Sequence, residues 1–256
     1  GEKAQAEVPH RAVRDGETLA VGSATLKAIE TPGHTPEGVC WLISSDETGV
    51  PDRLITGDTL FVGDVGRPDL AGGRGFSAAE MPGLLYDSLH TKILTLADEV
   101  EVYPAHGAGS ACGRNMSKET FSTIGQQRRM NYALQPMSRE DFVRMMTADL
   151  TAPPRYFPMD VEINRRGAGA LDTLTMPSLS PADVMRLVNE GATVLDVRDG
   201  AAFGAGHVPG SINIGLGGQY ASWAVNLLPP SVPILIVADG KERAKEAMRR
   251  LARVGL

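Results

Sequence analysis

Three stretches of this sequence place a metal-ligating side chain just past a run of β-type residues. His34 follows TLKAIETPG, Asp58 closes DRLITGD, and His106 closes EVEVYPAH. Each run carries branched or apolar residues at strand-like length and stops at Gly, Pro or Asp. Strand ends are rigid platforms from which loops present chemistry. Imidazole and carboxylate groups with open coordination positions suit zinc hydrolysis, and they equally suit the two-histidine, one-carboxylate iron site that activates O2. Spacing alone leaves both open.

The elements that must hold these residues read as a sheet, from TLKAIET, VCWLISS, DRLITGD and DEVEVYP. Ser138 in MSREDFVRMMTADL is an expected N-cap, with Asp141 three residues on and Phe142, Met145 and Met146 at helical spacing. From 151 to 178 the text carries four prolines up to Pro177 and no sustained period, and it reads as an ordered linker. A second domain is expected beyond it. There SPADVMRLVNEG offers Ser180 as N-cap, Pro181 at the first helical position, a Val184, Leu187, Val188 stripe and Gly191 as stop. TVLDV and PILIVA read as buried parallel strands, and the last helix sets Ala244, Ala247, Met248 and Leu251 on one face. The second half is therefore α/β by alternation.

At 256 residues and 42% hydrophobic content the chain has room for one large or two medium domains. Its net charge of −6 supplies no basic field for phosphate, so nucleic acid is not an expected partner. No apolar run approaches the roughly 18 residues of a membrane span, and no signal-peptide pattern opens the text. Neither a membrane partner nor export is expected, and the reading is cytoplasmic. Cys40 and Cys112 are too few and too far apart for a disulfide framework or a zinc knuckle, and they read as reduced thiols.

TPGHTPEG, ITGDTLFVGDVGRPDL and YPAHGAGSACG resemble three successive motifs of the metallo-β-lactamase fold, in order and at suitable intervals. PEG after the histidine and GRPDL after the aspartate resemble persulfide dioxygenases more than hydrolases of the glyoxalase II type. The segment PPRYFPMDVEINRRG is similar to the linker of bacterial persulfide dioxygenases fused to rhodanese domains. The resemblance implies the C-terminal portion of an αββα sandwich over 1–150, the linker over 151–178, and a rhodanese-like α/β domain with a parallel sheet over 179–256. It also implies one Fe(II) per site, with zinc as the alternative, held by His34, Asp58 and a further ligand from an HxHxDH motif. That motif does not occur in this sequence, since His10 and His90 lack its pattern. The chain is accordingly expected to begin midway through its first domain.

In the same family His106 takes the position that serves a second metal in the hydrolases. Here it is expected as a pocket residue, hydrogen-bonded near the iron. Tyr103 either reaches toward bound substrate or oxygen or is a half-buried strand aromatic. Arg67 either pairs the carboxylate of a thiol substrate through its fork of donors or pairs Asp64 or Asp69 within the chain. Cys112 is either a persulfide-handling thiol beside the metal pocket or an inert residue in a glycine-rich loop. Cys40, in an apolar strand, is expected in the core.

LDVRDGAAFGAGHVPGSINI resembles the rhodanese pattern of a DVR strand end followed by a GHxPGxxN loop. Asp196, Arg198, His207 and Asn213 match positions that brace that fold. A sulfurtransferase needs a cysteine thiolate leading into a helix, where N–H groups and the helix dipole stabilise its charge. Ala238 stands at that position, and ADGKER is only partly like CxxGxR. The domain is therefore expected to be catalytically silent, with Arg243 in its anion loop. The text stops before the last strand expected of a rhodanese, so the domain is also expected to be truncated.

The activity implied is oxidation of glutathione persulfide, or another low-molecular-weight thiol persulfide, by O2 to sulfite and thiol, in a homo-oligomer, dimer or tetramer. The alternatives are a glyoxalase II-type zinc thioester hydrolase and a catalytically silent interaction module.

Overall fold

The computed structural model describes all residues except 47, 72–75, 78, 149, 151, 154–155, 168, 170–174 and 230. The chain divides into two compact units, Gly1–Pro153 and Pro154–Leu256.

In the first unit the strands are β1 (Thr18–Val21), β2 (Ala24–Glu30), β3 (Val39–Ser44), β4 (Arg53–Gly57), β5 (Leu60–Phe61), β6 (Asp64–Val65), β7 (Glu101–Pro104) and β8 (Ser122–Thr123). A six-stranded sheet runs β1-β2-β3-β4-β7-β8, and β5 and β6 form a separate ribbon. The helices are α1 (Glu80–Asp87), α2 (Ile124–Met130) and α3 (Arg139–Thr147). Side chains alternate across a strand, so Cys40 and Leu42 of β3, Leu54 of β4 and Val102 of β7 all turn to one face. They pack there against Leu85, Leu89, Ile93, Ile124, Phe142 and Met146. Each such side chain fully buried stabilises by about 1.5–3 kcal/mol relative to leaving it in water. A sheet with helices on one face is the arrangement expected of one half of an αββα sandwich.

Ser138 caps α3 by accepting from Asp141 N at 3.1 Å. His90 lies in the single π-turn Ser88–Lys92 that continues α1, stacked on Tyr86 at 4.2 Å and donating from Nε2 to Ala133 O at 3.0 Å.

In the second unit the 151–178 stretch contains a helix, α4 (Phe157–Arg166), that the sequence reading left in a linker. Its proline sits at the start, where no N–H partner is lost, and Gly167 at φ 92° ends it. Then come α5 (Pro181–Asn189), β9 (Thr193–Asp196), α6 (Gly200–Ala205), β10 (Ile212–Asn213), α7 (Tyr220–Leu227), β11 (Ile234–Val237) and α8 (Lys241–Ala252). Ser180 caps α5 by accepting from Asp183 N at 3.2 Å. The sheet is parallel, in the order β10-β9-β11. β9 is buried at its centre, as its apolar run predicts. β11 is only half-buried, contrary to the sequence reading, because among the described residues it pairs on one side alone. Ala247 and Leu251 of α8 enter this core beside Leu195 and Tyr220.

Candidate metal centre

Strand direction brings the three candidate ligands to one edge of the sheet. β2 and β4 each run antiparallel to β3, so they run parallel to one another, and β4 pairs parallel with β7. The C-terminal ends of β2, β4 and β7 therefore share an edge, and His34, Asp58 and His106 follow those ends. Thr31 Oγ1 and Thr59 Oγ1, hydrogen-bonded at 2.8 Å, tie the first loop to the second.

Two glycines allow the loops to close. A Cβ on Gly33, at φ 152°, would lie 2.4 Å from Leu85 Cα, so only glycine lets the His34 loop rest on α1. A Cβ on Gly66 would lie 1.9 Å from Asp58 O and 2.9 Å from His34 Nδ1. The β5–β6 ribbon folds Gly66 and Arg67 back against His34 at this point.

His34 is 8% exposed, and its Nδ1 lies 2.8 Å from Arg67 O. A carbonyl only accepts, so Nδ1 carries the proton and Nε2 is the atom offered to the pocket. Nε2 is 3.3 Å from Asp58 Oδ2, while His106 Nε2 is 3.4 Å from Asp58 Oδ1. Burial alone would lower the His34 pKa. The hydrogen bonds that His34 makes to Asp58 and Cys112, and the Asp58 charge, override it and raise the value to about 9. Burial likewise opposes the Asp58 charge, and His34 and His106 override it to hold the carboxyl below its usual range.

Asp58 Oδ1 is buried with no hydrogen-bond partner. His106 Nε2, 3.4 Å away, stands beside it without a hydrogen bond, and a metal ion is the partner that donor chemistry favours for a buried carboxylate oxygen in that position. His34, Asp58 and Cys112 offer ligand atoms that all lie within 4.8 Å of one another. Imidazole, carboxylate and thiol are ordinary ligands of zinc and iron, so the residues present fit a metal.

Arg67 uses its fork on Asp69, with Nε to Oδ1 at 2.8 Å and Nη2 to Oδ2 at 2.7 Å. Asp64 is engaged elsewhere. Its Oδ1 accepts from Val65 N and Tyr132 Oη, both at 2.8 Å, and its Oδ2 accepts from Arg114 N and Asn115 N, both at 2.6 Å. Sequence reasoning missed this carboxylate as the anchor of the Cys112 loop. The only signal was an aspartate at a turn among apolar residues.

Tyr103 does not join the group. Alternation along β7 sends Val102 to the core and Tyr103 to the other face. Its hydroxyl donates to Glu101 Oε2 at 2.8 Å and its ring stacks on Phe121 at 5.9 Å. His106 is 41% exposed and its ring sits 6.1 Å from Phe61. Cys40 is buried against Thr31 and Thr56, and burial pushes its thiol up to about 11.

In the second unit Arg198 binds the fully buried Asp196 with its closest contact at 2.6 Å, and Asn213 Nδ2 donates to the carbonyls of both. His207 stacks on Phe203 at 3.9 Å and donates from Nδ1 to Phe203 O. Ala238 lies half-buried between β11 and α8, and Arg243 is exposed on the first turn of α8.

The model of the rhodanese-like domain family matches residues 180–256. A metallo-β-lactamase of Staphylococcus aureus, known from its crystal structure, superposes with a TM-score of 0.78 at 28% identity, covering 100% of this chain and 71% of that one. The mitochondrial persulfide dioxygenase ETHE1 of Homo sapiens is 30% identical over 155 residues, 60% of this chain and 52% of its own length. The probable polyketide biosynthesis zinc-dependent hydrolase BaeB of Bacillus velezensis is 37% identical over 105 residues, 41% of this chain and 40% of its own. The chain thus spans about half the length, or less, of these curated relatives.

The fold defines a protein of the metallo-β-lactamase fold, with a candidate metal centre at the strand ends. More particularly, this chain joins a unit of that fold to a rhodanese-like domain. Among the described residues no helix is long and apolar enough to cross a membrane.

Proposed function

We propose that this chain carries part of the iron centre of a persulfide dioxygenase, joined to a catalytically silent rhodanese-like domain. The observation that carries this reading is the His34–Asp58 pair: Nε2 faces Oδ2 at 3.3 Å, and the other carboxylate oxygen is buried without a hydrogen-bond partner. The likeness to a persulfide dioxygenase at 30% identity supports it.

His34 and Asp58 would hold Fe(II), which when bound supplies coordination positions for the persulfide sulfur and for O2. The Arg67 carbonyl fixes the His34 tautomer, so the same nitrogen always faces the pocket. His106 Nε2 stands 3.4 Å from the other oxygen of Asp58, at the exposed mouth of the site. Overall, the sulfane sulfur is oxidised to sulfite, O2 takes the electrons, water supplies the third oxygen and the thiol departs. In the second unit Ala238 offers no nucleophile, so no persulfide forms there.

A second reading is a two-zinc thioester hydrolase, favoured by one carboxylate standing between two imidazoles, as a metal-bridging ligand does. The likeness to a zinc-dependent hydrolase supports it.

Metal analysis of protein prepared anaerobically, together with oxygen uptake in the presence of glutathione persulfide, tests the two. Iron with persulfide-dependent O2 consumption and sulfite formation is expected. Two zinc ions with thioester cleavage would replace the first reading by the second.

A further inference from the structure

The Cys112 thiol lies beside the metal pocket, and its placement is built from both sides. On one side Arg67 N donates to Cys112 O at 2.9 Å, while Arg67 O accepts from His34 Nδ1 at 2.8 Å. A single residue's peptide groups thus set His34 and Cys112 relative to one another. On the other side Asp64 Oδ2 takes the N–H groups of Arg114 and Asn115 at 2.6 Å. Between them, a Cβ on Gly113 would lie 2.8 Å from Asp64 Oδ2, so the loop turns at a glycine against a buried carboxylate. Loops held in this way present a side chain with little freedom to turn aside.

We propose that Cys112 Sγ is itself a metal donor, so that His34, Asp58 and Cys112 form within this chain a three-ligand site for a borderline divalent cation such as Zn2+, Co2+ or Fe2+. Among the described residues this is the group of three whose ligand atoms converge, and His106 is not in it. The inference rests on the reading of His34 and Asp58 as metal ligands, and it adds a third that the family resemblance does not supply. Two anionic donors and one neutral one balance a divalent charge, which favours holding the ion at a site as buried as His34. Thiolate favours zinc, cobalt and iron over magnesium and calcium. Coordination breaks the Cys112 S–H bond and sends its proton to solvent.

Cobalt titration of the full chain, reduced and anaerobic, tests this without any assay of activity. One equivalent of Co2+ is expected to produce an intense sulfur-to-cobalt charge-transfer band in the near ultraviolet. Cys112→Ser should abolish the band and weaken binding by about tenfold or more, while Cys40→Ala should keep it. Cobalt bound with weak ligand-field absorption alone, or a band that survives Cys112→Ser, overturns ligation by Cys112. If binding in that case is still lost in His34→Ala, the reading of His34 and Asp58 as ligands stands. No cobalt binding at all overturns both.

Discussion

Arg67 and Asp69 meet through two hydrogen bonds, Nε to Oδ1 at 2.8 Å and Nη2 to Oδ2 at 2.7 Å, and Arg67 side-chain exposure is 7%. The clamp raises the guanidinium pKa and fixes the residue whose carbonyl orients His34. Its contribution to the site is positional, because it fixes the backbone carbonyl that accepts from His34 Nδ1.

Asp69→Ala should therefore loosen the His34 tautomer lock while leaving the sheet intact. Partners one shell beyond a metal ligand change affinity by about 10–100-fold. Competition with a chromophoric chelator should show zinc affinity falling by about tenfold, with secondary structure unchanged by circular dichroism. Unaltered affinity would show that the β5–β6 ribbon alone holds the carbonyl in place.

Gly66→Ala tests the close approach of backbone to backbone. The added methyl would meet Asp58 O at 1.9 Å, and a carbonyl at a strand end has no rotamer by which to retreat. Overpacking of this kind costs about 1–3 kcal/mol. Urea unfolding should place this variant near the upper end of that range, with metal affinity lost as Asp58 shifts. A midpoint equal to that of the parent would rule out the contact.

Much of this arrangement was legible in the sequence. The strands ending at His34, Asp58 and His106 announce themselves by short apolar runs stopped at Gly, Pro and Asp, and Ser138 and Ser180 announce their helices. Three things were not legible, each for a physical reason. Which face Tyr103 occupies depends on strand register, and a one-residue difference inverts it. Helix α4 was hidden because its proline lies at the start of the helix, where it is tolerated, within a proline-rich text. The choice of Asp69 over Asp64 by Arg67 depends on the ribbon fold, which turns Asp64 inward toward Arg114, Asn115 and Tyr132.

Asp64→Asn measures what that inward carboxylate contributes. Asp64 accepts four hydrogen bonds, and an amide can accept them from one oxygen only, so its NH2 would face the N–H of Val65 or of Arg114 and Asn115. Burial, and then the Asp64 charge, raise the Tyr132 pKa well above its ordinary value. Loss of about 2 kcal/mol of stability is expected, together with Tyr132 ionising at lower pH in an absorbance titration. A Tyr132 titration identical to the parent's would remove Asp64 from the network.

Ala238→Cys asks whether a nucleophile is all the second unit lacks. The glycine of ADGKER is Gly240, one place earlier than in CxxGxR, and its φ of 110° sets the entry to α8. A cysteine added at 238 therefore meets a loop of different shape, and thiocyanate formation from thiosulfate and cyanide should stay near background. Robust turnover by the single variant would contradict this account of the loop.

The Asp196–Arg198 pair gives the second unit a definite pH dependence. Burial opposes the Asp196 charge, but hydrogen bonds from the Arg198 side chain and backbone override it and hold the carboxyl below its ordinary range. A depressed folded-state pKa means that the unfolded chain takes up its proton first as pH falls. The stabilisation is thus fully present above the unfolded value near 3.9 and is lost as pH falls through the lower folded value. Asp196→Asn removes the charge but keeps the shape. Its melting temperature should fall furthest below that of the parent between about pH 5 and 7, and the gap should narrow as pH drops below about 4. A gap that is constant with pH would mean that Asp196 contributes through packing and neutral hydrogen bonds, with no part for its charge.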